Sequence, residues 1–240
     1  MTSLRNNETN ITRDKFDLTA PSIIIDIVIF TIYKEKLCII LVNKIIEWKN
    51  YYILPEWYVR KGYTLEENFD DILRHRTWIE WVYKEQLHTF WDTYRPDSNS
   101  HFVSISYFAL INKNKFLKDV DLTKINIIEY NNIDKVDIWY DHKNIIKFAR
   151  QRLKFRLEHT TISKDILPPK FTLSQMQKTY EIIFWEELDK RNFRRNVEQL
   201  KIIKFTWEYD KISSNRPAKI YEFTNKDLQY LNEDIINFNI

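Results

Sequence analysis

FTLSQMQKTYEIIFWEELDKRNFRRNVEQLKIIKF, residues 171 to 205, and NRPAKIYEF, residues 215 to 223, decide the architecture. Thr172 is placed to cap a helix over LSQMQKTYEIIF, because its hydroxyl can accept from a free N–H of the first turn. Leu173, Met176, Tyr180 and Ile183 then recur at helical spacing. Asp189 can cap a second helix, KRNFRRNVEQLKII, with Phe193, Val197 and Leu200 as its apolar stripe and Lys190, Arg191, Arg194 and Arg195 over the rest. The strand-like runs IIKFTWEY and AKIYEF, joined by DKISSNRP, predict a hairpin with a polar, basic tip. Two short helices followed by such a hairpin make a winged helix. Its second helix has the composition that a major groove requires.

Arg can meet guanine edges and Asn adenine edges, so Arg191, Asn192, Arg194 and Arg195 are candidate base readers, with Lys190 beside them. On the wing, Lys211, Asn215, Arg216 and Lys219 suit phosphates or a minor groove. The competing expectation is a solvated basic face that pairs with Glu181, Glu186, Glu187 and Glu198.

Working toward the N-terminus, TTISKDILPPK contains Pro168 and Pro169 and is expected to be a linker, because paired prolines block helix. Before it, HKNIIKFARQRLKFRLEHT reads as a helix with Ile145, Phe148, Ala149, Leu153 and Leu157 near one face. From Ser22 to Ile111, β-branched runs surround one helix, about Leu65 to Arg76, and INIIEYNNI and VDIWYD are expected to continue the same layer. The expected fold class is therefore α/β (α+β), with one domain over residues 1–159 and a winged helix over 160–240.

Composition limits the function classes. With 44% hydrophobic and 15% aromatic residues, the 240-residue chain can build a core, so disorder is not expected. The apolar run Ile23 to Tyr33 is about half a membrane span and contains Asp26. The first 17 residues hold no apolar signal core, and Cys38 stands alone, so a cytoplasmic protein without disulfides is expected. Lys147 to Phe223 contains 17 Lys and Arg against 10 Asp and Glu, a local +7, which leaves −4 elsewhere in a chain of net +3. Gly62 is the only glycine, so turns must be built largely without it.

These residues resemble a known family, the Nudix-related transcriptional regulators, over most of the chain from Ile23 to Phe223. The resemblance is carried by LPPKFTLSQMQ (Leu167 to Gln177), LDKRNFRR (Leu188 to Arg195) and NRPAKIYEF. Further support lies in ILP and VRKGYTLEE between Ile53 and Glu67, in YKEQLHTF (Tyr83 to Phe90), and in VSISYFALI (Val103 to Ile111). It implies a Nudix-like α/β/α sandwich with a mixed sheet, homodimers on palindromic operators, and a small effector, ADP-ribose-like or a pentose such as arabinose. The loop Thr89 to His101 would then line the effector pocket, which makes Asp92, Arg95 and Asp97 candidates, with Arg60 nearby.

Nudix hydrolases carry a box whose glutamates gather magnesium against a pyrophosphate. Laid on this chain, the box puts Trp57 and Trp78 at glycines, Tyr63 at the first glutamate, Asp71 and Ile72 at the Arg-Glu pair, and His75 and Arg76 at the final glutamates. No catalytic residue, metal ligand or cofactor is expected. A hydrolase using Glu66, Glu67, Asp70 and Asp71 is the alternative, and His75 and His88 lack partners at a metal-binding spacing. Trp57, Trp78, Trp91 and Trp185 stand where relatives have glycine. Glycine permits a positive φ or close backbone approach that tryptophan does not readily take, so a reshaped or filled pocket rim is expected, either as an aromatic lining or as a plug.

Overall fold

The computed structural model describes residues 21–80, 82–94, 101–112, 123–210 and 217–231. A seven-stranded mixed sheet forms the first layer, with order β3-β2-β1-β6-β5, while β4 pairs with β1 and β7 with β2. The strands are β1 (Ser22–Tyr33), β2 (Lys36–Ile46), β3 (Lys49–Ile53), β4 (Glu56–Tyr58), β5 (Tyr83–Tyr94), β6 (His101–Leu110) and β7 (Ile125–Glu129). β1 runs parallel to β6 and antiparallel to β2 and β4.

The two-residue period of β1 explains the layering. Ile25, Ile27 and Ile29 face helix α1 (Leu65–Thr77) and pack with its Phe69, Ile72 and Leu73. Val28 and Phe30 face helix α2 (His142–His159) and pack with its Ile145, Ala149 and Leu153. All of these side chains are buried, and each of the larger ones, Ala149 apart, contributes about 1.5–3 kcal/mol. The result is the α/β/α sandwich.

The second unit consists of β8 (Phe171–Thr172), α3 (Leu173–Phe184), α4 (Lys190–Leu200), β9 (Ile203–Asp210) and β10 (Ala218–Phe223), with the strands in order β8-β10-β9. This is a winged helix. Thr172 and Gln175 form a reciprocal capping box, and Asp189 accepts the Asn192 N–H at 2.7 Å.

Three expectations need correction. The segment around Pro168 and Pro169 is not a loose linker: Ile162, Ile166 and Leu167 are buried in the core cluster that also holds α2 and α3 side chains. Most of it is therefore packed, and apolar side chains rather than the prolines set its conformation. VDIWYD is not a strand. Only Ile138 makes an isolated bridge, to Tyr52, because a 3-10 turn at Tyr130–Lys135 has already led the chain off the sheet. Third, the tryptophans at helix ends do not force the backbone away from the glycine conformation: Trp78 (φ 61°) and Trp185 (φ 63°) both end helices in the left-handed region.

No helix among the described residues is long and apolar enough to cross a membrane.

Candidate DNA interface and effector pocket

Helix α4 is held by its apolar stripe. Phe193 and Val197 are buried, and the Phe193 ring meets Tyr180 of α3 edge-on at 5.4 Å. The connection between the two helices is fixed by Glu181, whose carboxylate accepts from the Leu188 amide at 3.2 Å and from Gln177 at 2.9 Å. With this seating, Lys190, Arg191 and Arg195 are exposed, while Asn192 and Arg194 are half-buried. Asn192 Oδ1 accepts from Arg195 at 2.6 Å.

Lys190 and Arg194 open onto a groove of about 970 Å³ between α3, α4 and the wing, which Lys178 and Lys219 line from the other two elements. Among the described residues none of these cations pairs with Glu181, Glu186, Glu187 or Glu198, and Arg194 Nε is buried without a hydrogen-bond partner. Asn215 and Arg216 lie outside the described residues, as does Lys211. Lys178 was not singled out from sequence. Its signal was available, since the Thr172 cap fixes the helical phase and places it one turn beyond Ser174, another lining residue.

A pocket of about 330 Å³ opens where the Nudix box would sit, between β4 and α1. Arg60, Asp71, His75 and Arg76 line it together with the exposed faces of Trp57 and Tyr58. Arg60 pairs with Asp71 and lies over the Tyr63 ring at 4.1 Å. Two other acids on this helix are engaged as well. Glu67 closes a capping box with Thr64, whose backbone and hydroxyl hydrogen bonds hold its carboxyl below the usual range. Asp70 accepts from Lys84 at 2.7 Å. Arg95, Asp97 and the side chain of Asp92 lie outside the described residues.

A second polar cluster, missed from sequence, lies on the other face of the sheet. Asp26, Glu56 and His142 are buried, with His142 Nε2 3.4 Å from Asp26 Oδ1 and 3.6 Å from Glu56 Oε2. Three ligand atoms so close resemble a metal cradle. Burial opposes charge on the imidazole and the carboxylates favour it, with the balance at about 9. The Leu54 N–H, however, donates to Nδ1 at 3.0 Å, so that nitrogen holds no proton. The hydrogen bond decides the state: a neutral ring with its proton on Nε2, facing the carboxylates. A protonated Nε2 cannot ligate a metal, and a ligating one would leave Nδ1 to donate rather than accept. The only hint in the sequence was a charged residue, Asp26, inside the apolar run of β1.

His75 and His88 stay apart. His75 bonds the Asp71 carbonyl at 2.7 Å, and His88 packs against Phe90 and Phe148.

A mixed α/β/α layer followed by a winged helix with a basic second helix defines a two-part protein whose C-terminal part has the architecture of a DNA-binding module. Residues 164–223 match the NrtR DNA-binding winged helix domain. An ADPR responsive transcriptional repressor, NtrR, from Acinetobacter baylyi is 28% identical over 222 residues, which cover 90% of this chain and 87% of that one. Among solved structures, Shewanella oneidensis NrtR with a 27mer DNA superimposes with a TM-score of 0.74 at 22% identity, over 84% of this chain and 93% of that one. A MutT/nudix family protein from Enterococcus faecalis gives 0.65 at 19%, over 85% and 87%. Both structures share the fold.

Proposed function

We propose that this chain is a sequence-specific, DNA-binding transcriptional regulator whose Nudix-like part senses a small effector and performs no chemistry. The observation that carries the proposal is the basic groove, in which Lys178, Lys190, Arg194 and Lys219 converge from three elements on one concavity. Four cations on one concavity, none in an ion pair among the described residues although Glu198 and Asp210 also line it, suit a phosphate backbone, and a half-buried guanidinium beside them suits base or phosphate recognition. The name of the Acinetobacter relative supports ADP-ribose over a pentose as the effector. Sensing and dimerisation are assigned to residues 1–159 and DNA binding to 160–240, in a cytoplasmic homodimer on a palindromic site.

The box positions that carry glutamates in hydrolases hold Tyr63, Ile72, His75 and Arg76, and the nearby Glu67, Asp70 and Asp71 are occupied by Thr64, Lys84 and Arg60. No magnesium-dependent release of AMP from ADP-ribose is expected.

The test is anisotropy titration against the promoter DNA flanking the protein's own gene. Arg191→Ala and Arg194→Ala are each expected to cost about 1–3 kcal/mol of binding, and Lys178→Ala to lower the salt dependence by about one phosphate contact. Unchanged binding of the double arginine variant at physiological salt would refute the assignment.

A further inference from the structure

The pocket at the degenerate box contains a cation that no carboxylate among the described residues neutralises. Arg76 is half-buried on the last turn of α1, and no carboxylate among the described residues pairs with it. Its orientation is nevertheless fixed: Nε donates to the Glu56 carbonyl at 3.2 Å, and the guanidinium lies 4.6 Å from the centroid of the Trp57 ring. Both constraints come from β4, where the two-residue period sends the Glu56 carboxylate to the His142 side of the sheet and Trp57 to the pocket side. The Nη groups are thus left to a ligand. Arg60, across the same pocket, is already committed to Asp71.

A planar, pre-oriented guanidinium in a pocket that excludes part of the surrounding water is a phosphate-binding device, because two parallel N–H groups match two phosphate oxygens. We propose that Arg76 binds a phosphate group of the effector directly, with no divalent cation between them, and that the aromatic faces of Trp57 and Tyr58 take the flat or sugar part of the same molecule. A cation in this place would meet the Arg76 charge at close range, whereas a phosphate relieves it. The inference rests on the sensing role proposed above and names the chemistry that the pocket selects.

Full-length protein is titrated calorimetrically with ADP-ribose, ribose 5-phosphate and inorganic pyrophosphate, each in EDTA and again in magnesium. At least one probe is expected to bind with the same affinity in both buffers. Arg76→Ala is expected to weaken that probe about 10- to 100-fold, the loss of a charged bidentate contact. Arg76→Lys should recover only part of it, since an ammonium lacks the fork. Melting curves establish that the variants are folded, and if the alanine variant is not, the lysine variant decides. Preference for ADP-ribose over ribose 5-phosphate identifies a nucleoside diphosphate, and binding of pyrophosphate alone an inorganic anion. Binding that requires magnesium, binding that either folded Arg76 variant leaves unchanged, or failure of all three probes overturns the proposal. Promoter binding is measured in parallel: DNA binding without probe binding removes the phosphate site and leaves the regulator, and the reverse result does the opposite.

Discussion

Trp48 is fully exposed and sits at φ 67°, in a backbone region that normally belongs to glycine. It closes a two-residue turn with Glu47 (φ 47°) between paired Ile46 and Lys49, and Lys34 and Glu35 (φ 48° and 58°) do the same between Tyr33 and Lys36. Both turns have the doubly left-handed form that suits the right-handed twist of a hairpin, usually built with Asn-Gly. A residue with a Cβ costs about 1–2 kcal/mol in this region, and glycine returns about 0.5–1 kcal/mol of that as unfolded-state entropy. Trp48→Gly should therefore stabilise the protein by about 0.5–1 kcal/mol in urea unfolding. Trp185 shares the conformation but not the outcome. Arg150 lies 4.5 Å from the centroid of its ring, and Tyr130 meets it edge-on at 5.5 Å. Trp185→Gly exchanges a strain of similar size for a lost cation–π contact and lost burial, and is expected to destabilise by about 1 kcal/mol. Equal stabilisation by both substitutions would show that the Arg150 stack contributes nothing. The scarcity of glycine was legible from composition. That tryptophan would keep glycine's backbone at Trp78 and Trp185 was not, because the cap hydrogen bonds to the Arg74 and Glu181 carbonyls, and not the side chain, hold those residues there.

Among the elements, those with a cap and a period were readable and those without were not. Helix α3 begins at Leu173 as the Thr172 cap predicts, and α4 begins at Lys190 after Asp189. Strand β8, two residues long, has no period of its own and exists only because Ile220 and Tyr221 of β10 pair with it. The basic face of α4 was readable too, since Phe193 and Val197 leave one side for solvent. The helical phase made the position of Lys178 readable as well, but not its role, which depends on the wing folding across the helix pair. The capping box gives the element-scale prediction. Thr172→Ala removes the acceptor for the Gln175 N–H, at 3.2 Å, and should cost about 1 kcal/mol by denaturant unfolding, while Thr172→Ser should recover most of it. A silent alanine variant would mean that packing of Met176 and Tyr180 alone sets the start of the helix.

Across the whole molecule, α2 is the shared part, and Glu85 ties it to the sheet. From β5 the Glu85 carboxylate accepts from Arg152 at 2.9 Å, from Arg156 at 2.8 Å and from the Tyr83 hydroxyl at 2.7 Å, while Arg156 also donates to the Tyr230 hydroxyl at 3.0 Å. That last contact joins the segment after the wing to the helix beneath the sheet. Its backbone returns there too: Leu231 N–H donates to the His159 carbonyl at 2.8 Å. Such a junction was beyond the sequence, since Glu85 and Tyr230 belong to segments far apart in the chain. Its pH dependence follows from the carboxylate. Burial works against charge on Glu85, but the hydrogen bonds from Arg156, Tyr83 and Arg152 outweigh it and hold the carboxyl below its usual range. A carboxyl lowered on folding adds stability that is complete above its unfolded value of about 4.3 and disappears as pH falls through the lowered folded value. Glu85→Gln leaves two guanidiniums without their counter-charge on a side chain only 13% exposed, so it should cost about 2 kcal/mol at pH 7. Urea unfolding of both proteins from pH 7 to pH 3 tests the sign. The gap between wild type and Glu85→Gln should be constant down to about pH 5 and close below pH 4, and a gap that widens in acid would mean that Glu85 is not the proton-linked group at this junction.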